Sequence, residues 1–209
     1  MGLRLGSNSA RRTLAPHLRL LNRTPIADAT GVQWGAAVHR DGDELLVYGV
    51  ADEGQHKHLL LAATSALRPG DTWRYRTADG SWSTTATDAA RLLTGVSNEV
   101  SVLPLPDSDA GWILVTSDTR KPHRTWPIVA YRAPRPDGPW VGPQLILEPP
   151  ENADGCYAYN PTFVHLDGSR FLLAYCVNGS WTDVQADETL YRPRFHHVRL
   201  SAVRLPVNE

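Results

Sequence analysis

The sequence predicts an all-β protein assembled from β-propeller blades, and three observations carry that prediction. One strand–turn–strand pattern occurs three times along the 209 residues. Its turns are polar, two of the three carry Asp-Gly, and Asp-Gly between β-rich runs is the strongest short-range hairpin signal. Helical periodicity is confined to residues 87–93 (Thr-Asp-Ala-Ala-Arg-Leu-Leu), a stretch of two turns at most.

The three units are expected to be four-stranded. In the first, a strand over residues 34–39 turns through Asp41-Gly42-Asp43 into the apolar run 45–50, then 58–64, with a fourth strand around 73–75. In the second, residues 99–105 turn through Asp107-Ser108-Asp109 into 112–117, followed by 127–132 and 144–148. In the third, residues 159–166 turn at Asp167-Gly168 into 171–177, and 194–200 completes the pattern. The second strands recur roughly every 60–67 residues, above the ~40–50 of short propeller repeats. They are near-continuous apolar runs rather than alternating ones, which suits strands buried on both faces between packed blades. The units divide the chain into 33–96, 97–155 and 156–209, preceded by an N-terminal segment over 1–32 that is partly disordered or supplies a closing strand from 14–26.

Three blades do not close a ring, because propellers generally hold four to eight. The expectation is therefore an incomplete ring with apolar faces at its open ends. Further blades lie upstream in a longer gene product, or the chain associates with copies of itself or with another chain.

Charge narrows the function classes. A net charge of -1 gives no electrostatic argument for nucleic acid or a membrane surface. No window approaches the ~18 apolar residues of a membrane-spanning helix. Arg11-Arg12 is followed by a stretch broken by Pro16 and Arg19, not by the apolar run of an export signal. The localisation stays open between a cytoplasmic protein and a secreted one that is longer at its N-terminus. Cys156 and Cys176 flank the Asp167 hairpin some three to five positions out of register, or roughly 10–17 Å, too far for a disulfide. Two buried thiols are expected. No phosphate loop, nucleophile elbow or Cys-x-x-Cys pair is present, and no cofactor is expected.

Several short motifs occur in a fixed order: Ser97-Asn98-Glu99-Val100-Ser101-Val102, Asp137-Gly138-Pro139-Trp140, Tyr159-Asn160-Pro161 and Tyr191-Arg192-Pro193-Arg194-Phe195. Together they resemble the C-terminal part of a bacterial five-bladed propeller family, long catalogued as a domain of unknown function, some of whose members are assigned as endo-D-arabinofuranases. Trp34-Gly35 followed by Val47-Tyr48-Gly49-Val50 resembles the start of the third blade. The resemblance runs over residues 33–200 and covers three of five blades. It implies carbohydrate chemistry at the central axis, on arabinose-containing or related polysaccharide. It also implies that key carboxylates come from the first blades, so that the chain alone is inactive. The histidine-proline pair that follows the Tyr-Asn motif in the family is replaced here by Pro161-Thr162, so only Tyr159 and Asn160 are carried over. The alternative is a non-catalytic carbohydrate-binding or structural segment that works in an assembly.

On that reading Glu99 is the candidate catalytic carboxylate, because it opens an apolar inner strand; otherwise it is a solvated strand-end residue. Asn98, Tyr157, Tyr159 and Asn160 form the candidate sugar-binding edge, tyrosine stacking on a sugar face and asparagine serving hydroxyls. Asn160-Pro161 can equally be a turn. Asn178, followed by Gly179-Ser180, reads either as turn chemistry or as a further sugar contact. Arg192 and Arg194, at alternate positions on one strand face, place one guanidinium to orient a carboxylate or bind a sugar hydroxyl; otherwise they close the last blade with a salt bridge. Trp126 and Trp181 are the loop tryptophans placed to meet a ligand. His56 and His58 share a strand face but lack spaced partners, so no metal site is expected.

Overall fold

A computed structural model describes residues 30–54, 56–65, 72–106 and 111–200. The predicted turn at Asp107-Ser108-Asp109, the segment 14–26 and nearly all of the N-terminal segment lie outside them. The described chain forms three antiparallel sheets with almost no helix.

The first sheet is built from β1 (Gln33–Asp41), β2 (Glu44–Glu53), β3 (His56–Ser65), β4 (Arg74–Arg76), β5 (Trp82–Ser83) and β6 (Leu93–Thr94). Asp41 pairs with Glu44 across the predicted turn, where Gly42 takes φ +57°, a conformation glycine adopts without a Cβ penalty. The fourth strand differs from its prediction. It is split into β4, which pairs with β3 at Ala62 and Ala63, and β6, which pairs with β3 at His58 and Leu59. The excursion between them carries the small hairpin of β4 and β5.

The predicted helical stretch 87–93 is corrected by the same region. Only a 3₁₀ turn over Ala86–Asp88 forms. Beyond it, the Ala90 amide donates to the Arg76 carbonyl (2.7 Å) and the Leu92 amide to the Leu59 carbonyl (2.8 Å). Those donors are taken by neighbouring strands, so no intrahelical ladder can propagate.

The second sheet is four-stranded, in the order β10 (Val141–Leu147), β9 (Ile128–Ala133), β8 (Trp112–Ser117), β7 (Val100–Pro104). The third holds three strands among the described residues, β11 (Tyr157–Asp167), β12 (Arg170–Asn178) and β13 (Arg194–Arg199), where four were expected. Between β12 and β13 the chain forms helix α1 (Trp181–Ala186) and a 3₁₀ turn over Glu188–Tyr191. Neither was expected. The signal was Ser180-x-x-Asp183, which forms a reciprocal capping box.

The central sheet is sandwiched. Leu114, Val129 and Tyr131 face the first sheet's Tyr48, Val50, Leu59 and Leu61. Ile113, Val115, Ile128 and Ala130 face the third sheet's Phe163, Phe171, Leu173, Tyr175 and Val177. Adjacent residues of β8 thus enter opposite cores, which is why 112–117 reads as one apolar run. Burial of each Val, Leu, Ile or Phe side chain among them contributes about 1.5–3 kcal/mol. The first strands are neighbours, β7 lying against β1 on one side and β11 on the other.

Polar links fix the sheets laterally. The buried Tyr48 hydroxyl donates to the Pro136 carbonyl (3.0 Å), and Asp137 of the Asp-Gly-Pro-Trp turn pairs with Arg76 of the first sheet. Between the second and third sheets, Ser101 Oγ accepts the Phe163 amide (3.0 Å).

Candidate functional site

One end of the three sheets collects the β2–β3 turn and the loops 94–99, 118–127, 150–156 and 178–194. Hydrogen bonds link them in series. The Gly95 amide donates to Lys57 O (2.9 Å) and the Thr119 amide to Gly95 O (3.0 Å). Asn152 Nδ2 donates to Trp126 O (3.3 Å), and Asn152 Oδ1 accepts the Ala158 amide (3.1 Å).

At this end β11 presents Tyr157 and Tyr159 with ring centroids 6.1 Å apart. Tyr157 lies opposite Asn178 in register, and Asn178 Nδ2 donates to Tyr157 Oη (3.0 Å). Asn178 Oδ1 accepts the Gly179 amide (2.9 Å), so this residue serves the turn and the aromatic pair at once. His123 and the Arg124 guanidinium flank the Tyr157 ring at 5.8 and 5.9 Å, and His123 meets Trp126 edge-on at 5.1 Å. Burial first, then a hydrogen bond with Tyr191 and the neighbouring Cys176, push the Tyr159 hydroxyl up to about 12.

Asn160 does not initiate a turn. It sits inside β11 at φ +55°, where the register shifts between Tyr159 and Thr162. This is a β-bulge, and asparagine tolerates the left-handed region better than most side chains. Pro161, next in the chain, is buried, and its carbonyl accepts from Ser101 Oγ (3.4 Å).

Glu99 and Asn98 stand immediately before β7 and are half-buried. The Glu99 carbonyl accepts from Ser97 Oγ (2.7 Å) and Thr116 Oγ1 (3.3 Å), which pins the strand entry. Its carboxylate has no ion-pair partner among the described residues. Asn98 Oδ1 is buried and accepts no hydrogen bond among the described residues. Glu99 shares the end with the tyrosines, and no hydrogen bond joins it to them.

Two carboxylates at this end escaped sequence reasoning. Asp118 follows β8, is 3% exposed, and accepts from Arg120 Nε (2.7 Å) and an Arg120 terminal nitrogen (2.9 Å). Burial raises its pKa, but the hydrogen bonds and charge of Arg120 outweigh that and leave it below the ordinary carboxylate value. Glu151 lies in the 3₁₀ turn Pro150–Asp154 before β11. It accepts from Arg194 Nε (2.9 Å) and from the Tyr175 hydroxyl (3.1 Å). Proline at a first helical position followed by an acid was the available signal.

The arginines separate. Arg194 is the structural closure, holding Glu151 and the carbonyls of Thr189 (3.0 Å) and Arg192 (2.9 Å). Arg192 precedes β13 and pairs with exposed Glu188 (2.6 Å), so the two do not act from one strand face. Trp126 is half-buried and donates to Lys121 O (2.9 Å), whereas Trp181 is 76% exposed on α1. Neither cysteine is in a disulfide; Cys156 is buried, but Cys176 is only half-buried because it lies on the outer face of β12. Among the described residues no three His, Cys, Asp or Glu side chains converge as metal ligands.

Comparison with known proteins follows the fold. The family model for a domain of unknown function, DUF5005, matches residues 12–200, and the chain belongs to that family. A crystal structure of a "putative hydrolase" from Bacteroides ovatus ATCC 8483 superposes with a TM-score of 0.59 at 18% identity. The match covers 79% of this chain and 44% of that one, so the chain spans less than half the length of its structural neighbour. At that identity the likeness is one of fold. No curated protein matches the chain in sequence.

Proposed function

We propose that the three sheets are consecutive blades of a β-propeller and that their Glu99–Tyr157 end binds carbohydrate. The domain is glycoside-hydrolase-like, its ligand an arabinose-containing or related polysaccharide. The blades are 33–96, 97–155 and 156–209, in a ring that further sheets complete. The observation that carries the reading is the Tyr157–Tyr159–Asn178 platform, partly exposed aromatic faces with an amide beside them, at the end where Glu99 is unpaired. Tyrosine faces stack on sugar rings while amides serve hydroxyls. The packing of β7 between β1 and β11 supports the propeller, since first strands line the axis of such a ring.

Catalysis by this chain alone is not expected. Hydrolysis needs a second carboxyl roughly 5–9.5 Å from the first, across the scissile bond. Asp118 is engaged by Arg120, and Glu151 by Arg194 and Tyr175, so neither stands free for that role. Calorimetry of the purified chain against arabinan and arabinogalactan tests the reading. Binding is expected without sugar release, and Tyr157→Ala should weaken it about tenfold. In a longer polypeptide that carries the upstream blades, Glu99→Gln should cut hydrolysis by orders of magnitude. Absence of binding to both glycans would overturn the proposal, and robust hydrolysis by this chain that Glu99→Gln leaves intact would overturn the role of Glu99.

The second reading, a structural segment active in an assembly, is favoured by the outer face of the third sheet. There Val164 is 48% and Phe195 62% exposed. Light scattering should show self-association that Phe195→Asp reduces; a monomer at all concentrations would count against it.

A further inference from the structure

We infer that the sugar held at the Tyr157 platform carries an acidic group, a uronate carboxylate received by the loop between β8 and β9. This rests on the carbohydrate reading above and narrows it.

The loop runs Thr119-Arg120-Lys121-Pro122-His123-Arg124-Thr125-Trp126-Pro127, with four basic side chains and no acidic one. Arg120 is committed to Asp118. Arg124 is exposed and has no ion-pair partner among the described residues, and its guanidinium stands 5.9 Å from the Tyr157 ring centre. His123 adds an imidazole 5.8 Å from the same ring. The carboxylates of the 178–194 connection are turned to partners within that connection. Asp183 closes the Ser180 capping box, Asp187 accepts the Thr189 amide (2.9 Å), and Glu188 pairs with Arg192 (2.6 Å). Within the 119–127 loop, the cation that stands beside the Tyr157 ring without an ion-pair partner among the described residues is Arg124.

Backbone geometry points to the same spot. Among the described non-glycine residues, Arg124 (φ 71°) and Asn160 (φ 55°) take positive φ. One lies over Tyr157 and the other follows Tyr159 in the chain. Such conformations cost free energy and cluster at ligand sites. A hydrogen-bonded turn holds the loop, the Thr125 amide (3.1 Å) and hydroxyl (2.8 Å) both donating to Pro122 O. The turn fixes the backbone from which the Arg124 side chain reaches over the Tyr157 ring. A guanidinium fork matches a carboxylate in two parallel hydrogen bonds, and the Tyr157 face takes the ring that bears it.

The test is affinity electrophoresis and calorimetry of the whole chain with four probes: polygalacturonate, neutral arabinan, heparin and a single-stranded DNA oligonucleotide. Polygalacturonate is expected to bind about tenfold more tightly than arabinan at about 20 mM NaCl, with the gap narrowing at about 300 mM. Arg124→Gln should bring the ratio of the two affinities towards one. Equal binding of polygalacturonate and arabinan, or a preference that Arg124→Gln leaves unchanged, overturns the acidic-sugar inference and leaves the carbohydrate reading standing. Heparin bound best would assign the site to sulfate esters, and DNA bound as well as polygalacturonate would mean general polyanion attraction; either result overturns it. Binding of neither polygalacturonate nor arabinan removes both proposals together.

Discussion

The first and third sheets flank the same central sheet, yet their outward faces are finished differently. On the first sheet, Ala51, Leu60 and Ala89 form a small core of their own, covered by Val32, Trp34 and Tyr75. The Trp34 ring lies so close over Gly49 that a Cβ there would stand 2.6 Å from Cε3, and Trp73 and Tyr75 pack on the same indole at 6.1 and 5.4 Å. On the third sheet, register puts Thr162, Ala174 and Phe195 on one outward row and Val164, Leu172 and His197 on the next. There Phe195 is 62% exposed and Val164 48%. The strands themselves do not predict this difference, since Leu-Leu-Val-Tyr-Gly-Val at 45–50 and Phe-Leu-Leu-Ala-Tyr-Cys-Val at 171–177 are equally apolar. What differs is the aromatic-rich edge around 73–83, which folds back over the first sheet and has no counterpart on the third among the described residues.

The sharpest way to break this comparison is to truncate one residue on each face. Leu60, 4% exposed, should lose about 2–4 kcal/mol on substitution by Ala. Phe195→Ala should lose under about 1 kcal/mol. Urea denaturation measures both, and equal losses would mean that the third sheet's face is covered in solution.

Next in size is Gly49→Ala, which forces Trp34 off the first sheet and should cost about 1–3 kcal/mol in the same assay. A neutral result would show that the aromatic cover is loose.

The Arg194–Glu151–Tyr175 link at the third sheet should matter somewhat less. Arg194→Ala leaves a mostly buried carboxylate with one partner fewer, at a cost of about 1–2 kcal/mol. Tyr175 adds a pH signature. Burial first, then the charge and hydrogen bond of Glu151, raise its pKa to about 12. Because the folded value lies above the ordinary 10, its contribution is whole below pH 10 and fades as the pH rises towards 12. Tyr175→Phe should reduce the alkaline loss of stability measured between those limits; an unchanged loss would remove the residue from the account.

The smallest effect is expected at Arg192. Its pairing with Glu188 is exposed on both sides, and Arg192→Ala should change stability by less than about 0.5 kcal/mol. A larger loss would show that the α1 connection is part of the fold's closure after all.

The all-β class, the three antiparallel units and most strand positions were legible in the chain because they rest on local signals. Alternation, apolar runs and the Asp41-Gly42 and Asp167-Gly168 turns act within a few residues. Tyr157, Tyr159 and Asn160 were legible as a cluster because they lie within four residues of the chain, whereas Asn178, read separately as turn or sugar contact, meets Tyr157 only through the β11–β12 register. Other features needed the tertiary structure. The split fourth strand and the failed helix at 87–93 were decided by β3 and β4, whose carbonyls claimed the Leu92 and Ala90 donors. Asn160 became a bulge, not a turn, because both flanking segments pair with β12. Asp118 and Glu151 joined the candidate site through arginines, one two residues away and one 43 residues on. His123 and Arg124 reached Tyr157 from another sheet. Local propensity is written in sequence spacing, whereas contacts between sheets depend on how loops return, and no short window of sequence records that.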